Sequence, residues 1–119
     1  MQPHHRIEAW RAAHTYALAI YRATENWPKQ ERYGLVSQLR RAALSVPANI
    51  VEGRARRGPR EFRRFLDTAW ASLAESGYAL EFAYELGYLP AAKFAELEQL
   101  RSGAGKPLFA LLRSMNPSS

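Results

Sequence analysis

Residues 33–53, which read YGLVSQLRRAALSVPANIVEG, decide the fold that the sequence predicts. Their apolar side chains lie three or four positions apart, the spacing that gives an α-helix one apolar face; they are Leu35, Leu39, Ala42, Ala43, Val46 and Ile50. We therefore expect a helix from about residue 31 or 35 to residue 56. Pro47 interrupts it, because proline has no N–H for the carbonyl of Ala43, so we expect a bend or an irregular turn there. Ser45 and Asn49 flank the proline and are placed to bond freed backbone groups.

Three more helices are predicted outside this segment, at about residues 7–25, 59–86 and 90–115. The first ends before Pro28, since a proline disfavours the α conformation in the residue that precedes it. Gly58 and Pro59 separate the second helix from the third, and Gly87 ends the third. No sustained period-two alternation indicates a strand. In the fourth helix, Gly103, Gly105 and Pro107 predict a kink or a split at residues 103–107.

The three connections are short, and this makes consecutive helices antiparallel. The sequence therefore predicts an all-α, up-down-up-down four-helix bundle. We expect one domain over residues 1–119, with the bundle at 6–115 and flexible ends at 1–5 and 116–119.

Composition restricts the kinds of site and the compartment. The chain of 119 residues has no cysteine, which excludes disulfides and thiolate metal ligands. It has neither a secretory signal nor an apolar run of about 18 residues, so we expect a cytoplasmic protein with no membrane contact. No phosphate loop, nucleophile motif or paired catalytic acids occur, and His4, His5 and His14 lack metal-ligand spacing. We expect no enzyme activity, no cofactor and no metal site.

The net charge is concentrated in one quarter of the chain. Residues 37–66 carry eight arginines against Glu52 and Glu61, a net charge of +6, while the charges of the remainder cancel. The arginines are Arg40, Arg41, Arg54, Arg56, Arg57, Arg60, Arg63 and Arg64. Guanidinium groups bind phosphates and carboxylates through paired hydrogen bonds, so an anionic partner is the first hypothesis.

Two interpretations of these arginines remain open. The hairpin between the second and third helices brings Arg54, Arg56 and Arg57 to the same end of the bundle as Arg60, Arg63 and Arg64, a surface suited to nucleic acid. Alternatively, the arginines pair with acids of their own chain or of a neighbouring subunit, or dock an acidic protein partner.

Aromatic residues outnumber the places for them in a single bundle core. Trp70, Tyr78 and Phe82 are spaced by eight and four residues, so they form a second apolar stripe on the third helix. A helix that is apolar over more than one face needs a second partner surface. We therefore expect these residues to form the interface of a homo-oligomer.

Residues 33–53 also carry a family resemblance, through Arg40 and Arg41 and the block from Pro47 to Gly53. The chain resembles the bacterial four helix bundle protein family, whose first members are encoded in intervening sequences within 23S rRNA genes. Residues 7–10 (IEAW), 72–75 (SLAE) and 86–89 (LGYL) extend the resemblance over nearly the whole chain. It implies a ring-like homopentamer and no enzyme activity. The related accessory variability proteins of diversity-generating retroelements bind a reverse transcriptase and nucleic acid, and both are possible partners here.

The resemblance also implies roles for single residues. Pro47, Asn49, Glu52 and Gly53 belong to its structural motif, and we expect a buried Glu52 to pair with Arg40 or Arg41. The chain departs from the family pattern at Gly77, where we expect two backbones to approach closely. The leading hypothesis is a non-enzymatic oligomer that binds nucleic acid through its arginines; the alternative is a protein-interaction scaffold.

Overall fold

The computed structural model describes His4 and residues 7–115, and in this part of the chain it contains four α-helices and no strand. They are α1 (Glu8–Ala23), α2 (Leu35–Ala55), α3 (Pro59–Glu85) and α4 (Ala91–Ser114), with a 3₁₀ turn at Lys29–Glu31. The number of helices is as predicted, and α2 begins at the later of its two predicted starts. The predicted flexible ends lie outside the described residues, apart from His4.

Two glycines form the sharp connections on either side of α3. Gly58 has φ 86° and Gly87 has φ 82°, a conformation that residues with a Cβ atom rarely adopt. Pro59 follows Gly58 and occupies the first turn of α3, where its missing N–H costs nothing. The reversal at Gly58 places the end of α2 beside the start of α3.

Each helix packs against two others: α1 contacts α2 and α4, and α3 contacts α2 and α4. Late residues of α2 meet early residues of α3, because Phe62 and Phe65 lie against Gly53. Late α3 meets early α4 in the same way, where the ring of Tyr84 stacks on that of Phe94 with centroids 4.4 Å apart. The buried apolar faces of all four helices share one core.

Pro47 does not interrupt α2, which is α-helical from Leu35 to Ala55, so the predicted irregular turn is not present. The amide Nδ2 of Asn49 donates to the Ser45 carbonyl at 2.8 Å and to its Oγ at 2.9 Å. Ser45 Oγ also bonds Ser72 Oγ of α3 at 2.8 Å. Asn49 therefore bonds a backbone carbonyl, but that of Ser45 and not that of Ala43, which Pro47 leaves free, and Ser45 connects α2 to α3.

The predicted split of the fourth helix at residues 103–107 is wrong, since α4 is continuous from Ala91 to Ser114. Ala104 and Leu108 on this stretch are fully buried in the core, and their burial favours the helical geometry. The carbonyl that receives no N–H from Pro107 belongs to Gly103, an exposed residue whose carbonyl water can reach. Within the described residues, no helix is both long and apolar enough to cross a membrane.

Candidate functional site

The connection between α2 and α3 gathers six of the eight arginines. Arg54 lies in the last turn of α2, Arg56 and Arg57 in the connection, and Arg60, Arg63 and Arg64 in the first turns of α3. We call these six residues the basic joint. Gly53 lets the helices meet here, since a Cβ atom at this position would lie 2.7 Å from Cβ of Phe65. The six side chains of the joint differ in their partners.

Arg56 and Arg64 are partnered within the joint. Arg56 Nη2 lies 3.1 Å from Glu52 Oε1, and Arg64 donates from Nε and Nη2 to the two carboxylate oxygens of Glu61, each at 3.2 Å. The hydrogen bond from Arg64 lowers the pKa of Glu61. Both guanidinium groups also lie over the ring of Phe65, with their carbon atoms 5.1 and 4.6 Å from its centroid. Their charges are balanced locally, and they cover an aromatic ring.

Arg63 connects α3 to the end of α4. Its Nη1 donates to the Leu112 carbonyl at 3.2 Å, and its Nε lies 3.9 Å from Asp67. Carbonyls in the last turn of a helix have no intrahelical partner and carry partial negative charge, so a cation stabilises them. We therefore assign Arg63 a structural role.

The remaining three arginines of the joint, Arg54, Arg57 and Arg60, are exposed. Among the residues that the structure describes, none of these three side chains makes a hydrogen bond or an ion pair. They lie within seven consecutive positions and carry three uncompensated positive charges. These three side chains are the part of the basic joint that can receive an external anion.

Arg40 and Arg41 lie apart from the joint. They belong to the first turns of α2, and the helix from residue 40 to residue 54 extends about 21 Å. They line a separate groove, together with Lys29 and Arg32. These four cations do not form one charged cluster in the sequence, because the seven residues between Arg32 and Arg40 are uncharged.

The expected buried pair between Glu52 and Arg40 or Arg41 is wrong. Glu52 is exposed and pairs with Arg56, four residues further along the same helix. Arg40 is 12 residues away, about 18 Å along the axis, whereas helical neighbours on one face are three or four residues apart. Arg40 instead bonds α1, where Tyr21 and Thr24 accept its hydrogen bonds.

The sequence indicated a close approach at Gly77, whereas the structure has one at Gly53. The close approach of two helices occurs at Gly53, where a Cβ atom would also lie 3.0 Å from Cδ1 of Phe62. At Gly77, the three atoms nearest to an added Cβ atom belong to the guanidinium group of Arg101, at 2.6 to 2.8 Å, so a side chain and not a backbone makes the closest approach. The absent side chain at Gly77 instead leaves room for Arg101, which Glu98 binds through both carboxylate oxygens.

The predicted aromatic stripe of α3 lies on the surface. Trp70, Tyr78 and Phe82 are 41%, 65% and 47% exposed, and Tyr78 and Phe82 contact edge to face at 6.2 Å. Phe109 of α4 extends the stripe, because its ring lies 5.6 Å from that of Trp70. Phe109 was not part of the predicted stripe, because it lies on a different helix.

Metal-ligating side chains do not cluster: no group of three His, Asp or Glu side chains that could hold an ion occurs in His4 and residues 7–115. His14 stacks on Trp10 with ring centroids 4.8 Å apart. The chemistry available at the basic joint is therefore that of guanidinium groups.

Known proteins resemble this chain in sequence and in fold. The family model of the 23S rRNA-intervening sequence protein matches residues 5–109. A crystal structure of a protein of unknown function from the S23 ribosomal protein family of Bacteroides thetaiotaomicron superimposes with a TM-score of 0.79. The two chains are 20% identical, and the match covers 88% of this chain and 98% of the other. No curated protein matches the sequence. Because the family model spans most of the chain, this four-helix bundle belongs to the 23S rRNA-intervening sequence protein family.

Proposed function

We propose that this protein binds nucleic acid through Arg54, Arg57 and Arg60 of the basic joint. One observation carries the proposal: three exposed arginines lie within seven positions around one helical joint, and no carboxylate in the described part of the chain pairs with them. An anionic partner would release the counterions that such a group of charges holds in solution, and this favours binding.

Phosphate is the anion that suits these side chains. A guanidinium group donates two parallel hydrogen bonds to phosphate oxygens, and it stays protonated at every physiological pH. Contacts to phosphates carry no sequence information, so the joint would bind nucleic acid with little base preference. The partnered residues Arg56 and Arg64 border this surface, but Glu52 and Glu61 balance their charges.

We propose that the protein binds its partner and does not catalyse a reaction. We also propose that it does so in the cytoplasm. Guanidinium groups do not exchange protons near neutral pH, so the joint offers no general acid or base. An enzyme would also need a nucleophile or a base near the bound phosphate, and the three arginines supply neither.

Assembly belongs to the same proposal. We propose that the helices form an up-down-up-down bundle and that its copies form a ring-like homopentamer through Trp70, Tyr78 and Phe82. The support is the exposed aromatic stripe, since neighbouring apolar side chains on a surface often mark a contact site for another protein chain. In a ring, every subunit would contribute one basic joint to a repeated positive surface.

The salt dependence of binding tests the nucleic-acid proposal. Affinity is measured by filter binding between 50 and 200 mM salt, where log affinity falls as log salt rises. Replacing Arg54, Arg57 and Arg60 by glutamine is expected to make this fall less steep, by about 2 to 3 in slope. Each lost phosphate contact removes about 0.7 to 0.9 of the slope. RNA, single-stranded DNA and duplex DNA serve as probes.

A control with the same loss of charge replaces the exposed Arg22, Lys93 and Lys106 by glutamine, all outside the basic joint. We expect this variant to keep most of the wild-type slope. Equal slopes for the two variants would assign binding to net charge alone, and no binding of any probe by the wild type at 50 mM salt would refute the proposal. Circular dichroism verifies that both variants are folded.

The second candidate function is a protein-interaction scaffold, and the exposed aromatic stripe favours it. Its apolar area suits protein contacts, and an acidic protein partner would suit the basic joint. Retention of one specific protein after nuclease treatment, with no binding of purified nucleic acid, would support the scaffold in place of the leading proposal.

Light scattering tests the assembly. We expect a particle of about five 13.5 kDa chains. Replacing Trp70, Tyr78 and Phe82 by serine should release monomers, because it removes the apolar side chains that the proposed interface would bury. Replacing the exposed Leu44 and Leu86 by serine is the control, and it should leave the particle intact. A wild-type monomer would refute the assembly.

A further inference from the structure

A groove of about 580 Å³ lies at the end of the bundle that is distant from the basic joint. The end of α1, the 3₁₀ turn and the start of α2 form its walls. Four cations line it, against one carboxylate, that of Glu25; they are Lys29, Arg32, Arg40 and Arg41. The groove therefore carries a positive charge of its own, about 21 Å along α2 from Arg54.

Arg40 is held in place at the base of this groove by neutral oxygens. Its Nε donates to Thr24 Oγ1 at 2.8 Å, and its Nη2 donates to the Tyr21 carbonyl at 2.9 Å. Its guanidinium carbon lies 4.7 Å from the centre of the Tyr21 ring. The side chain is thus fixed before any ligand arrives.

The charge of Arg40 has no counter-ion among the described residues. The side chain is partly buried, and no carboxylate of this part of the chain lies within ion-pair distance of it. Taking a charge out of water without a counter-charge is unfavourable, so an anion in the groove would stabilise it. Two hydrogen bonds leave at least two of the five guanidinium N–H donors available to that anion.

Tyr33 supplies a different kind of contact at the rim of the groove. It is 89% exposed, the largest exposed fraction among the large apolar side chains that the structure describes. Its ring leaves both faces in solvent next to Arg32. An exposed aromatic ring beside cations is a stacking platform for a nucleobase, and the cations bind the attached phosphate.

We propose that this groove binds a nucleotide unit, with the phosphate on Arg40 and Arg41 and the base on Tyr33. The unit belongs either to a free nucleotide or to the end of a nucleic acid chain, which share the phosphate and the base. The site is distinct from the basic joint and does not depend on the function proposed for it, because the two share no residue.

Calorimetry with the full-length protein tests this site. Adenosine 5′-monophosphate is expected to bind at least about tenfold more tightly than adenosine or inorganic phosphate, since only the nucleotide offers both the base and the phosphate. Tyr33→Ser and Arg41→Gln are each expected to weaken binding about tenfold. Both side chains are exposed, so their loss should not unfold the bundle. Arg40 is left unchanged, because it also connects α1 and α2.

The matched control is Arg113→Gln, which removes one exposed arginine that belongs neither to the groove nor to the basic joint and should leave nucleotide binding unchanged. If a 5′-phosphorylated trinucleotide binds with the same response to the variants but the mononucleotide does not, the unit belongs to a nucleic acid chain. Binding of neither probe, equal binding of inorganic phosphate, or an equal effect of Arg113→Gln would overturn the proposal. If the variant with Arg54, Arg57 and Arg60 replaced by glutamine no longer binds long nucleic acids but still binds the nucleotide, the two sites are independent.

Discussion

Replacing Gly53 by valine is expected to lower the free energy of unfolding by about 3 kcal/mol, the upper part of the range for overpacking a buried contact. At this position α2 and α3 approach so closely that a Cβ atom would lie 2.7 Å from Cβ of Phe65. That neighbour is attached directly to the backbone of α3 and cannot rotate away. The helices would have to separate, and the contacts around Phe62 and Phe65 would weaken with them.

Urea denaturation of the two proteins measures this loss. The matched control is Gly103→Val, at a helical glycine with no neighbouring atom within 4 Å of the added Cβ atom. Valine and glycine differ in helix propensity by only about 0.5 kcal/mol, so the control should change stability little. Similar losses in the two variants would show that the contact between α2 and α3 at Gly53 is not the cause. In the Gly53→Val protein, the contact between α2 and α3 that positions the basic joint should also be weaker.

Alkaline pH is expected to weaken the bundle through one buried tyrosine, by about 1 kcal/mol at pH 11 and by roughly 2 to 3 kcal/mol above pH 12. Tyr16 is fully buried, and its hydroxyl lies 2.9 Å from Ser76 Oγ. Because Ser76 donates its own proton to the Leu73 carbonyl at 2.8 Å, Tyr16 must be the donor. Burial raises the pKa of Tyr16 to about 12, since the phenolate would lose its hydration.

The sign of the effect follows from this raised pKa. The neutral phenol is favoured in the folded state, so its contribution to stability is complete below the ordinary pKa of 10.0. Between pH 10 and pH 12 the unfolded chain loses this proton while the folded chain retains it, and stability falls. Chemical denaturation at pH 9 and pH 11 measures the change.

Tyr16→Phe isolates this contribution. The variant should lose about 1 kcal/mol at pH 9, the net value of one hydrogen bond, and should then lose less with rising pH than the wild type. Tyr88→Phe is the control for a second tyrosine, because the Tyr88 hydroxyl donates to Glu31 at 2.7 Å and this bond raises the pKa of Tyr88. An identical pH dependence in wild type and Tyr16→Phe would contradict the assignment.

The helices were predictable from local signals. The apolar spacing of residues 35–50 and the positions of Gly58, Pro59 and Gly87 indicated where α2 and α3 begin or end, because propensity and turn geometry depend on nearby residues. The prediction failed at residues 103–107. Propensity opposes a helix there, but the burial of Ala104 and Leu108 outweighs it, and burial depends on contacts with other helices.

The candidate site was predictable only in part. Helical position shows that six arginines meet at one joint, yet it does not show which of them have partners. Glu52 was assigned to the wrong arginine, and the groove beside Tyr33 was missed. Its four cations lie within residues 29–41, but seven uncharged residues separate Arg32 from Arg40, and the contacts that fix Arg40 form only when α1 packs on α2.

The sequence by itself determined four helices, the connections between them and a surplus of positive charge near the second connection, since composition and periodicity are local properties. Only the tertiary structure decided that Arg63 binds the end of α4, that Arg40 binds the end of α1, and that Arg54, Arg57 and Arg60 have no partner among the described residues. An arginine can extend several ångströms in many directions. Packing of the neighbouring helices fixes which oxygen atoms lie within its reach, and this separates a structural arginine from one that is available to a ligand.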